Sequence, residues 1–176
     1  MELTKQQKVT KYLTYIVIIA GASLLQNVSG LFPEIAGARC FLLIPVAVII
    51  AMGEDIFSAS LLGLFAGLLW DITSAVHMGF NCIIITLFCF AVSAFVSYIA
   101  RDTFITNMLC VSLSSAIYCF VYWLCFIVIK GVNAGEITIL SFYIPCFIYT
   151  VVMTPAIWFV INKIKKKLNH IQKQNF

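Results

Sequence analysis

Long apolar runs alternate with short polar breaks along this chain, and the spacing of the breaks predicts its elements. After a polar and basic start, MELTKQQKVTK, the run Tyr12 to Val28 is long enough to span a bilayer with help from its flanks. Gln26 and Asn27 near its far end are expected in the membrane interface. Ser29 to Arg39 holds Gly30, Pro33, Glu34 and Gly37, and reads as a connection. Cys40 to Met52 is apolar but has only thirteen residues, too few at about 1.5 Å each to cross a core of about 30 Å. Either this helix begins earlier, near Ala36, or it is a half-span shielded by its neighbours. Gly53, Glu54 and Asp55 then make an acidic turn before a second short run, Ile56 to Trp70, so 37–52 and 56–70 predict a helical hairpin. Asp71 to Phe80, with Thr73, Ser74, His77 and Gly79, reads as a connection at the opposite surface. Spans at 81–100, 105–129 and 137–161 follow, broken by Arg101 and Asp102 and by a loop from Lys130 to Glu136, with Pro145 and Pro155 as kink points in the last.

The pattern predicts an all-α integral membrane protein: one helical domain, a bundle of six transmembrane helices (five if a short run fails to cross), and a basic tail over 162–176. Composition agrees, with 62% apolar and 10% charged residues, a balance outside the range of soluble domains. The first run is longer than the core of a signal peptide, so the small residues Ala20 to Ser23 are expected to stay uncleaved. The net charge of +4 comes from lysines flanking the first and last runs. If all six runs cross, nine of the eleven Lys and Arg residues fall on one side, and that bias places both termini in the cytoplasm. It gives no reason to expect nucleic acid. Seven cysteines lie in apolar segments without C-x-x-C spacing and read as small hydrophobes.

The candidate chemistry concentrates between Gly53 and Asn81. Ala59, Gly63, Gly67 and Asp71 fall four apart, so on a helix they form a stripe of small side chains leading to a carboxylate, suited to close helix packing or partner contact. A packing partner within the same chain is favoured, because short helices need shielding from lipid. Asp71 reads as an interfacial cap touching water or as a buried structural contact, both ahead of a proton relay. Glu54, Gly79 and Asn81 are loop positions open to a partner, although acids in a tight turn are more often simply solvated. His77 and His170 fall on opposite sides in this topology, which removes a two-histidine metal site. Ser112, Ser114 and Ser115 have no base in their span and read as packing hydroxyls. Tyr118, Tyr122, Trp123, Tyr143, Tyr149 and Trp158 read as belt or core aromatics. No catalytic, cofactor or metal site is expected, and the chain does not read as an enzyme.

The order Gly53-Glu54, LLGLFAGLL, Asp71 and Gly79-Phe80-Asn81 resembles the MreD family, small multispan subunits of the bacterial rod-shape and cell-elongation machinery. The likeness extends loosely to LLQN at Leu24 to Asn27, the short run after Arg39 and a last span with proline near its end; it departs where Cys40 and Phe41 stand in place of a common proline and acid. The resemblance implies a non-enzymatic scaffold in the bacterial plasma membrane, bound to a bitopic MreC-like partner. It also implies a link between MreB filaments and a peptidoglycan polymerase or transpeptidase, and a six-helix fold similar to substrate-binding subunits of energy-coupling-factor vitamin transporters. Membership of that second group is the alternative function. It needs a cavity with convergent polar groups, for which the outer side offers Glu34, Arg39, Asp71, Thr73, His77 and Asn81 at most.

Overall fold

The computed structural model describes residues 5–28, 40–74, 78–128 and 142–174. Every element among them is helical: α1 (Lys5–Asn27), α2 (Leu43–Ala51), α3 (Ile56–Ser74), α4 (Phe80–Tyr98), α5 (Phe104–Trp123, continued by a wider π turn over Leu124–Val128) and α6 (Ile144–Gln174). All but α2 are long and apolar enough to cross a membrane, giving five candidate spans in an all-α membrane bundle. The connections at 29–39 and 130–136, including Arg39, and His77 lie outside the described residues.

The short second run resolves into a half-length helix. With nine residues, α2 rises only about 13 Å. Its sequence, LIPVAVIIA, has no polar face, and all nine residues are buried, surrounded by α1, α3, α4, α5 and α6. A helix apolar all round belongs in a core, and α2 is the axis on which this core is built.

A half-helix inside a membrane bundle must still satisfy its terminal backbone groups. At its start, the Phe41 N–H donates to Thr150 Oγ1 on α6 at 3.1 Å and the Leu43 N–H donates to Gln26 Oε1 on α1 at 2.9 Å. Gln26 therefore bonds to a neighbouring helix, where the sequence placed it in the interface; its neighbour Asn27 donates to Ser23 O of its own helix at 2.7 Å. Pro45 sits in the first turn, where a missing N–H costs nothing. At the other end, Lys165 on α6 donates from Nζ to Ile49 O at 2.7 Å, a cation on the carbonyl end of a helix.

These contacts define two ends of the bundle. The proximal end gathers the start of α1, the Gly53–Asp55 turn, the turn after α4 and the Lys165 region of α6. The distal end gathers Gln26, Phe41, the end of α3, the start of α4 and the second half of α5. The segment 41–54 links the two although its helix is short, so six passes of chain run between the ends. Three boundaries depart from expectation; one is the end of α6, which continues past Ile161 to Gln174, through the stretch expected as a tail. α1 begins seven residues before Tyr12, because KQQKVTK contains good helix formers. α3 runs on through Asp71 to Ser74, where a connection was expected.

Candidate functional site

The tightest helix pair is α3 with α4, and the small-residue stripe makes it so. Ala59 is fully buried, and Gly63 and Gly67 lie against α4 with no room for a side chain. A Cβ on Gly63 would stand 2.8 Å from Cys89 Cβ and Sγ and 3.1 Å from Ile85 O. On Gly67 it would press on Cys82 Cα and stand 2.7 Å from Asn81 O, so here the obstacle is backbone. The partner of the stripe is thus the next helix of the same chain.

Asp71 completes this packing. Its side chain turns forward from the last turn of α3 and receives three N–H groups at the start of α4. Gly79 N and Cys82 N donate to Oδ2 at 2.9 and 3.0 Å, and Asn81 N donates to Oδ1 at 3.2 Å. The first N–H groups of a helix have no intrahelical acceptor, and a carboxylate there both accepts them and complements the helix dipole. Asp71 is only 3% exposed. It is therefore both a cap and buried, where the sequence left these as alternatives. Gly79, with φ of +91°, bends the chain back toward the carboxylate in the left-handed conformation that glycine adopts without strain.

Beside the cap, Asn81 is buried and its Oδ1 accepts the Tyr118 hydroxyl of α5 at 2.7 Å. Tyr118 stacks on Trp70 at 5.2 Å between centroids and meets Phe41 edge-on at 5.4 Å, while Phe41 also meets Trp70 at 5.7 Å. Phe80 closes the cluster against Tyr122 and Phe126. Aromatic residues from three helices and from the lead-in to α2 thus form a plug around the capped turn. Asn81, expected on an open loop, belongs to this plug and has no exposed amide to offer a partner.

Glu54 lies at the proximal end and also departs from the solvated turn expected for it. Its side chain is 3% exposed and forms an ion pair with Lys11 of α1, while its backbone carbonyl accepts the Ser93 hydroxyl of α4 at 2.8 Å. A buried carboxylate requires a partner charge, and the basic lead-in of α1 supplies it. Only Asp55 of the acidic pair faces solvent, and its Oδ2 accepts the Ser58 N–H at 3.2 Å as a cap on α3. Partial burial pushes the Asp55 carboxyl up, but the hydrogen bonds from Ser58 outweigh it and hold the group below the ordinary range.

No protein-family model, curated protein or solved structure matches the chain. The geometry therefore carries the functional reading. The structure brings Ala59, Gly63, Gly67, Asp71, Gly79 and Asn81 together in one hairpin and puts Glu54 at the opposite end. Sequence reasoning missed Tyr118 as the partner of Asn81, and Lys11 and Lys165 as the cations that close the proximal end. The usable signal for Lys11 was a lysine directly before an apolar run, which can fold back on a buried acid as readily as it can anchor a helix. Among the described residues no cluster of three His, Cys, Asp or Glu side chains is placed to hold a metal.

Proposed function

We propose that this protein is a non-enzymatic scaffold of the bacterial cell-elongation complex, linking cytoskeletal filaments to peptidoglycan synthesis through a bitopic MreC-like partner. In this reading the proximal end, with its lysines, faces the cytoplasm of a bacterium and the distal end faces outward. The observation that carries the proposal is where the polar groups of the resembling stretch point. Asp71, Asn81 and Glu54 are all occupied by groups of this chain, and the outward face of α3 presents the apolar side chains Phe57, Leu61, Leu64, Leu68 and Ile72, with the exposed Thr73 near its end bonded back to Leu69 O. Such a stretch acts by shape and contact, as a subunit that holds other membrane helices would.

Affinity capture of the tagged chain from detergent, with depletion in the parent cell, tests the proposal. Recovery of a bitopic elongation protein and rounding of depleted cells are expected. Recovery of an ATPase with a transmembrane coupling subunit, or of a bound vitamin, together with a nutrient requirement on depletion, would instead identify a transporter subunit.

A further inference from the structure

The two helices that enter and leave the proximal turn at 99–103, α4 and α5, stand apart along half of their length. Between them lies an apolar groove of about 420 Å³, lined by Phe88, Ala91, Phe95, Leu109 and Leu113, with Thr106 near its proximal end. Its lining ends distally at Phe88 on α4, two turns short of Phe80 and Asn81, and at Ile117 on α5, beside Tyr118 of the aromatic plug. At the proximal limit the turn closes it, with Ala100 in the lining. Along α5, from Thr106 to Ile117, the groove is about 17 Å long at helical rise, close to half of a hydrocarbon core of about 30 Å. It is therefore one leaflet deep.

That length selects the occupant. A partner's transmembrane helix would need a groove running the full depth of the bundle, whereas a lipid acyl chain ends at the midplane. The proximal turn carries the complementary charge: Arg101, next to Ala100, is exposed and has no ion-pair partner among the described residues. The neighbouring carboxylate, Asp102, keeps its charge but is turned to α5, where its Oδ1 accepts Asn107 Nδ2 at 2.6 Å, and that charge acts on the Lys165 ammonium of α6. Tyr98, 80% exposed beside the same turn, is an interfacial residue type and puts this level at the headgroups. We infer that the α4–α5 groove binds an anionic phospholipid of the proximal leaflet, with an acyl chain between the helices and the phosphate on Arg101.

The test is native mass spectrometry of the full chain in detergent, titrated with dioleoyl phosphatidylglycerol or dioleoyl phosphatidylcholine. The wild type should retain the anionic lipid about fivefold better, the effect of one basic side chain at an anionic headgroup. Arg101→Gln should bring the two lipids level. Ala91→Phe, at an exposed position whose new ring fills the groove, should remove both adducts without moving the unfolding midpoint. Leu109→Trp fills the groove from the facing helix and should do the same, so the result does not hang on one variant. Equal retention of both lipids by wild type, an unchanged preference in Arg101→Gln, or undiminished adducts in both filled variants would each overturn the inference.

Discussion

Glycine-to-alanine substitution in α3 is the sharpest test of how this bundle is held together, because two effects of opposite sign compete. In an exposed helix, alanine is favoured over glycine by about 1 kcal/mol. At Gly67 the new methyl would stand 2.7 Å from Asn81 O and 2.9 Å from Cys82 N, where ordinary contacts lie at 3.4–4 Å. Those atoms are backbone and cannot rotate away, so α4 must move off α3. That shift stretches the three hydrogen bonds to Asp71, which start from the same turn. Overpacking of this kind costs about 1–3 kcal/mol, and loosening bonds to a charged acceptor adds about 1.5 kcal/mol or more. Net of the helix gain, Gly67→Ala should destabilise the protein by about 1.5–3.5 kcal/mol. At Gly63 the nearest obstacle is the Cys89 side chain, so Gly63→Ala should be partly rescued by Cys89→Gly, whereas no side-chain deletion on α4 should rescue Gly67→Ala. Gly21 has nothing within 4 Å of a new Cβ, and Gly21→Ala should be neutral or stabilising. Unfolding in mixed micelles with increasing sodium dodecyl sulfate, followed by tryptophan fluorescence, measures all four variants. If Gly67→Ala proved as stable as Gly21→Ala, the close contact of α3 with α4 would not be what holds the hairpin.

Other outcomes follow from single contacts. Asp71→Ala leaves three helix-start N–H groups without their acceptor and should cost about 3–5 kcal/mol, with Asp71→Asn, which keeps one carbonyl oxygen, about half as severe in the same titration. Lys11→Met strands Glu54 without a counter-charge and should cost about 3 kcal/mol, while the double variant with Glu54→Gln should recover most of that loss. Gly53→Ala places a methyl 2.8 Å from Lys165 Nζ; because a lysine tip can move, the loss should be near 1 kcal/mol and should vanish in a Lys165→Met background. Asp55 titrates lower when folded than unfolded, so its contribution is present above the unfolded value of about 3.9 and fades as pH falls through the folded one. Asp55→Ala should therefore lower stability at pH 7 by under about 1 kcal/mol, and the difference from wild type should shrink as pH falls and the carboxyl is protonated.

The sequence by itself determined the class of this protein, the order of its apolar runs, and the stripe that packs. Those features are local. Hydrophobic length, positions of glycine and proline, and four-residue spacing are written along the chain and need no knowledge of neighbours. What the tertiary structure decided is which polar groups remain available. Asp71 and Asn81 could have faced water or a partner as far as spacing could tell, and Glu54 sits in a turn that composition alone reads as solvated. Each is buried because a group outside its own helix or turn meets it: the distant Tyr118 hydroxyl for Asn81, the distant Lys11 ammonium for Glu54, and the nearby backbone of the following helix for Asp71. Likewise, a thirteen-residue apolar run could not reveal that its helix stands at the centre of the bundle, since that depends on Gln26, Thr150 and Lys165 converging from two other helices to satisfy its ends. Pairings across such separations follow from packing of the whole bundle in low dielectric, where an unmet polar group is too costly to leave, and that constraint acts only once the helices are assembled.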